Sequence, residues 1–139
     1  MLTERAYYFN EKVNEMNEQY KSFGEFLQRK REERRITLRG MAEQLGISAP
    51  FLSDIEKDRR NPPDITKLDT IAQILLLSDE DRILMLDLAG KARKTIAPDL
   101  PEYIMERDYV SAALRTARDL DAGEQEWLRF VEELKKRKG

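Results

Sequence analysis

The chain has 139 residues, of which 40% are hydrophobic and 37% charged, and its formal net charge is −2. It contains no cysteine and no histidine, which excludes disulfides, the usual zinc sites, thiol nucleophiles and histidine-based triads. It has no glycine-rich phosphate loop, no secretory signal and no apolar run near the roughly 20 residues that cross a bilayer, so we expect a cytoplasmic, non-enzymatic protein without cofactor, metal or membrane contact.

Residues 1–21 are predicted to form an N-terminal extension. Apolar side chains recur there, and into the next segment, at alternating four- and three-residue steps: Phe9, Val13, Met16, Tyr20, Phe23 and Leu27. This heptad-like pattern favours an amphipathic helix that packs on the rest of the chain or on a second subunit. A partly ordered extension is the alternative.

A first helix is predicted to begin after Ser22, because Ser22 and Glu25 have the S-x-x-E spacing of a capping box. It would end before Thr37, which is a suitable cap for the next helix.

The segment from Leu38 to Lys57 has the residue types that two short helices joined by a tight turn require. Gly46 sits at the bend, where positive φ carries no steric cost, and Ser48 follows at a helix start. Ala42 is small enough for the helices to cross closely, and the remaining apolar positions supply a core: Met41, Leu45, Ile47, Leu52 and Ile55. The pattern predicts a helix-turn-helix whose second helix, Ser48 to Lys57, enters the major groove of DNA.

Two more helices are predicted after this segment. Asn61-Pro62-Pro63 stops one helix and sets up the next, from Ile65 to Leu76. A fifth helix over residues 79–94 begins with acidic residues, which the helix dipole favours, and is strongly apolar afterwards.

From Phe23 to Ser78 the chain resembles, from end to end, the Cro and lambda-repressor-like helix-turn-helix family, also called the XRE type. The matching residues are Leu27, Arg31, Thr37, Ala42, Gly46, Ile55, Glu56, Leu68, Ile71, Ala72 and Leu75. The resemblance implies an all-α fold with a five-helix lambda-repressor-like DNA-binding domain, whose helix-turn-helix part we place at residues 22–78, and additional N- and C-terminal helices. The chain departs from the family at Leu38, where many members have glutamine, and at Asp58, where glycine is common.

The same resemblance assigns base readout to Ala49, Pro50, Phe51, Ser53 and Asp54. Their chemistry is unusual, because no Gln, Asn or Arg among them offers a bidentate pair to a base. Specificity is therefore expected to depend on DNA shape and on the loop at Arg59 and Arg60. The expected contacts to the DNA backbone are Thr37, Arg39, Ser48, Lys57, Arg59, Arg60 and Arg31.

Two of these expectations have plain alternatives. Arg59 and Arg60 would otherwise belong to a solvated loop. Arg31 and Glu56, which the family often pairs to tie the first helix to the third, would otherwise form an ordinary surface ion pair.

Positive charge is placed locally in this acidic chain. Residues 22–63 carry nine Lys or Arg against seven acids, whereas residues 64–90 carry two against six. Since salt screens charge within about 8 Å, the face that meets phosphate matters more than the total. We expect the acidic stretch to face away from DNA.

Residues 95–101 are predicted to form a linker, because Pro98 and Pro101 interrupt any helix there. Residues 102–139 are predicted to form a second module of two helices, the later one beginning near Asp121 and Glu124 and carrying an apolar stripe of Trp127, Phe130, Val131 and Leu134. The basic tail from Lys135 to Lys138 fits a solvated helix end better than a DNA contact.

The sequence thus predicts a sequence-specific transcriptional regulator that binds double-stranded DNA, acting as a homodimeric repressor on a palindromic operator. The apolar stripes outside the small domain motivate the dimer. The alternative is an antitoxin-type regulator whose residues Pro98 to Gly139 also bind a toxin or protease. A carboxylate-dependent nuclease is disfavoured, because no pocket motif is present.

Overall fold

A computed structural model describes residues 19–137. Phe9, Val13 and Met16 of the predicted N-terminal seam, and Lys138 of the basic tail, lie outside that range. Within it the chain is all-α, which confirms the predicted class. The helices are α1 (Phe23–Glu33), α2 (Leu38–Leu45), α3 (Ala49–Glu56), α4 (Ile65–Ile74), α5 (Asp79–Ala92), α6 (Pro101–Met105), α7 (Asp108–Asp119) and α8 (Glu124–Lys136).

The described chain divides into two compact units, one ending at Pro101 and the other starting at Glu102. The first unit contains the hydrophobic core, built from α1 to α5. Tyr20 is also buried there, with its ring edge-on to Phe26 at 5.1 Å between centroids. No described helix is long and apolar enough to span a membrane.

The first five helices all begin in the same way. A side-chain oxygen of the residue before each helix accepts the backbone N–H three residues on, at 3.0–3.1 Å. Such a cap satisfies one of the backbone donors that a helix start leaves unpaired. The capping residues are Ser22, Thr37, Ser48, Asp64 and Ser78.

The turn between α2 and α3 depends on a left-handed residue. Gly46 has φ +69°, and the N–H of Ile47 reaches back to the carbonyl of Ala42 at 3.0 Å. This is the Schellman arrangement of a helix end. It ends α2 and redirects the chain within three residues, so that α3 starts at Ala49.

Five other described residues have positive φ without being glycine: Arg35, Asp58, Leu76, Lys94 and Asp121. Asp121 was expected near the start of the last helix, but it follows the end of α7. The residue before α8 is Gly123, whose N–H donates to Glu126 Oε2 at 2.9 Å. The side chain that accepts a backbone N–H at this helix start is therefore that of Glu126, which lies inside the helix.

The first part of the predicted linker packs on α5. A Cβ on Gly90 would lie only 2.7–2.8 Å from backbone atoms of Ile96 and Ala97, and Ala97 is buried. Only glycine permits this approach, so the chain after α5 folds back against the helix before it reaches α6.

We predict that Gly46→Ala lowers the free energy of unfolding by about 1–2 kcal/mol, because an alanine is strained at positive φ. A new Cβ there would meet no atom within 4 Å, so the loss reports backbone strain alone. Urea unfolding measures it. Gly46→Asn is the control and should lose less, since asparagine tolerates the left-handed region. Equal stability of the glycine and alanine forms would contradict this account of the turn.

Candidate nucleic-acid interface

The helix α3 has one buried side and one open side. Leu52 and Ile55 point into the core, whereas Pro50 and Phe51 are exposed. Ala49, Ser53 and Asp54 are partly exposed. The open side thus includes the residues predicted to read bases, and a duplex has access to them.

Two exposed hydroxyls lie at the starts of α2 and α3. Thr37 Oγ1 accepts the N–H of Gly40 at 3.0 Å, and Ser48 Oγ accepts the N–H of Phe51 at 3.1 Å. A hydroxyl that accepts in this way still has its own hydrogen to donate. The positive end of the helix dipole adds to the attraction for an anion, so both positions suit a phosphate oxygen.

The loop after α3 folds back over the helix. The N–H of Arg59 donates to the carbonyl of Asp54 at 2.8 Å. The Asp54 carboxylate lies 3.9 Å from Arg59 Nη1 and 3.8 Å from Arg60 Nε. The Arg60 guanidinium lies over the Phe51 ring, 4.4 Å from its centroid. Sequence reasoning identified these residues separately but did not predict that they form one cluster.

Asp58 joins the end of α3 to the start of α1. Its φ is +59°, and its carboxylate accepts the N–H of Gly24 at 3.0 Å and the hydroxyl of Ser22 at 2.6 Å. A Cβ on Gly24 would lie 2.4 Å from the carbonyl oxygen of Glu56. Gly24 therefore permits the close approach that the Asp58 hydrogen bonds hold in place.

A second tie joins the same two helices. Arg31 Nε and Nη2 donate to the Glu56 carboxylate at 2.7 and 2.9 Å, and Nη1 donates to the carbonyl of Ile36 at 2.9 Å. The side chains are only 11% and 6% exposed. The hydrogen bonds that Arg31 donates to the Glu56 carboxylate raise the pKa of Arg31. All three guanidinium nitrogens donate within the fold, which supports the structural role of Arg31, whereas its contact with a DNA phosphate stays a prediction.

A family model described as a helix-turn-helix domain matches residues 22–84. The match covers α1 to α4 and the first turn of α5, and it includes the bent pair around Gly46 described above. Residues 22–84 thus form a helix-turn-helix domain. The match supports a DNA-binding regulator. A solved structure titled SinR protein/SinI protein complex aligns with 84% of this chain and 97% of that chain, at 21% identity and a TM-score of 0.40. No curated protein matches.

Three further cations of the first unit, none of them a predicted site residue, bind backbone carbonyls around the helix-turn-helix domain. Lys67 Nζ donates to the carbonyl of Leu45 at 3.1 Å, and Arg34 Nε donates to that of Leu75 at 2.9 Å. Arg93 donates to the carbonyl of Pro62. No sequence pattern predicts these contacts, because each joins a side chain to a carbonyl that is at least 22 residues away in the sequence.

A cleft of about 590 Å³ lies beside α3 in the helix-turn-helix domain. Four cations line it, together with the exposed Phe51 ring: Arg59, Arg60, Lys67 and Arg93. Arg39 and Lys57, both predicted phosphate contacts, are exposed and form no ion pair with the described residues. Two acidic residues, Asp58 and Asp64, also line the cleft, so cations outnumber acids on the side of the domain that carries α3.

We predict that removing one member of the Arg31–Glu56 pair, as in Arg31→Met or Glu56→Leu, lowers the free energy of unfolding by about 3–5 kcal/mol. Each single change leaves a charge buried without its partner. The double variant should lose much less than the sum of the two, in a double-mutant cycle measured by urea unfolding.

The control for this cycle is the exposed pair of Arg82 and Asp69, which are 2.8 Å apart. Arg82→Met should cost less than about 1 kcal/mol, because solvent screens that pair. Additive losses at Arg31 and Glu56 would show that burial has not coupled them.

Proposed function

We propose that the chain is a homodimeric repressor that reads a palindromic operator through the helix from Ser48 to Lys57. The observation that carries this proposal is the open side of α3, with a pair of arginines folded back over it. An exposed helix of this kind fits the major groove.

Base readout is proposed for Ala49, Pro50, Phe51, Ser53 and Asp54. Ala49 and Phe51 offer apolar surface to thymine methyl groups. Contacts to the DNA backbone are proposed for Thr37 and Ser48 through their hydroxyls, and for Arg39, Lys57 and the loop arginines through their charge. These contacts fix the register of the protein on the duplex.

We predict that Arg59→Ala/Arg60→Ala weakens binding to the chain's own upstream region by about tenfold or more at physiological salt, because two guanidinium contacts are lost. Mobility shift or fluorescence anisotropy measures the change. Arg115→Ala/Arg118→Ala is the matched control, since it removes the same charge from the exposed helix α7. Unchanged binding by the Arg59/Arg60 variant would remove this contact model.

The second unit supports the proposed dimer. An apolar groove of about 440 Å³ runs between α7 and α8, with Trp127 and Phe130 edge-on at 6.4 Å. The stripe on α8 stays 38–55% exposed: Trp127, Phe130, Val131 and Leu134. Contiguous apolar surface of this kind usually marks an interaction site.

The charges of α8 favour a second copy as the partner. The first turn of α8 is acidic, with Glu124 and Glu126, and the last turn is basic, with Lys135 and Lys136. Two copies packed antiparallel about a two-fold axis would place each acidic end beside a basic end. A symmetric interface requires such self-complementarity, and its symmetry would match that of a palindrome.

We predict that the full chain is a dimer whose assembly covers Trp127, the single tryptophan of the sequence. Its fluorescence should shift to shorter wavelength as concentration rises, in parallel with the mass from sedimentation equilibrium. Phe130→Glu should give a monomer with weaker operator binding, whereas Leu76→Glu, at an exposed leucine of the first unit, should remain dimeric. Selected operators should have half-sites about 34–36 Å apart or at multiples of that distance.

The apolar groove also keeps the antitoxin-type alternative open, since a segment of a toxin or protease would find the same surface. Co-purification from the native host separates the two proposals. A stable monomer that recovers full operator affinity only with a co-purified protein would replace the homodimer by that partner.

A further inference from the structure

The Arg60 side chain returns to the beginning of α3. Arg60 follows the helix in sequence, yet its guanidinium lies over the ring of Phe51, in the first turn of that helix. In a helix-turn-helix, the N-terminal residues of the second helix are those that contact base edges. The loop therefore carries a cation to the part of the domain that meets the bases.

We propose that Arg60 reads a guanine in the major groove, with Phe51 and Asp54 as positioning residues that hold its guanidinium for this contact. The proposal rests on the function proposed above, because it needs α3 in the groove. For Arg60 it replaces the contact with the DNA backbone that the sequence predicted and that is proposed above, and it leaves that role to Arg59.

The geometry around Arg60 favours this assignment. The guanidinium carbon lies over the Phe51 ring, 4.4 Å from its centroid, and Asp54 Oδ2 lies 3.8 Å from Nε. No described residue accepts a hydrogen bond from either Nη, and the side chain is 53% exposed. A planar guanidinium with free donors on its outer edge matches the O6 and N7 acceptors of guanine. Holding it in place beforehand lowers the entropy lost on binding.

The two arginines of the loop differ in how they are held. The Asp54 carboxylate lies beside both of them, 3.9 Å from Arg59 Nη1 and 3.8 Å from Arg60 Nε, so its charge alone does not separate their roles. Only Arg60, of the two, also lies over an aromatic ring, that of Phe51. Arg59 is 69% exposed and stacks on no described ring, so it is the freer of the two to follow the DNA backbone.

The first experiment selects bound duplexes from a random-sequence pool with the full chain, and then measures affinities by fluorescence anisotropy. The wild type should require a guanine at one position of each half-site. Arg60→Ala should accept any base there, keep its other preferences, and bind the selected duplex about tenfold or more weakly. Arg59→Ala should weaken binding to all duplexes alike. It should also reduce the slope of log affinity against log salt concentration by about one, as expected for the loss of one phosphate contact.

A second experiment tests the hydrogen bond itself. Replacing that guanine by 7-deazaguanine removes the N7 acceptor, and should weaken the wild type several-fold but leave Arg60→Ala unchanged. Phe51→Leu and Asp54→Asn should lose part of the preference for guanine, and Phe51→Tyr, which keeps the stacked ring, should retain it.

Each outcome bears on a different claim. If Arg60→Ala weakens all sequences equally, or if 7-deazaguanine affects both proteins alike, Arg60 does not read guanine, although the chain still binds DNA. If the wild type selects no sequence from the pool, the proposed function fails as well.

Discussion

The position of α3 depends on how its carboxyl end is fixed to α1. Two sets of polar contacts do this, the buried ion pair of Arg31 with Glu56 and the hydrogen bonds from Gly24 and Ser22 to Asp58. The core residues Leu52 and Ile55 hold the helix against the domain, but apolar packing alone does not fix its orientation. Hydrogen bonds to specific oxygens do, so the outward direction of Phe51 and Asp54 follows from contacts on the opposite side of the helix.

The same arrangement explains how an acidic chain presents a surface suited to DNA. Several cations are used within the fold, Arg31 on a carboxylate and Arg34, Lys67 and Arg93 on carbonyls. The double arginine after α3 is instead drawn toward Asp54, so its charge is concentrated over the exposed side of that helix. Since screening limits electrostatic attraction to roughly a Debye length, about 8 Å, local placement of this kind outweighs the net charge.

Much of the first unit could be predicted from the sequence, because its signals are local. Capping hydroxyls, the glycine at the turn and the periodic apolar residues each act within a few positions, and they locate α1 to α5 closely. The resemblance to XRE-type proteins added the expectation that five helices form one DNA-binding domain. The start of α8 is harder to predict, because the carboxylate that accepts the N–H of Gly123 belongs to Glu126 within the helix. Asp121 instead follows the end of α7.

The contacts of the candidate site were harder to predict, since they join residues that are distant in sequence. Nothing near Asp58 indicates that its carboxylate will accept from Gly24, and nothing near Arg60 indicates that its guanidinium will stack on Phe51. Both depend on the path of the chain after α3, which only the folded structure defines. The residue types at Asp58 and Arg60 were visible, whereas their partners were not.

Under the proposed readout, the loop that follows α3 would link base recognition to a part of the chain outside the helix-turn-helix match. Arg93, beyond the matched residues 22–84, donates to the carbonyl of Pro62 and so braces the loop that carries Arg59 and Arg60. A readout helix that offers Ala, Pro, Phe, Ser and Asp has little capacity for bidentate recognition of its own. If Arg60 supplies that capacity, the preference for a base depends on the loop conformation, and Arg93 at the end of α5 contributes to specificity by holding that loop.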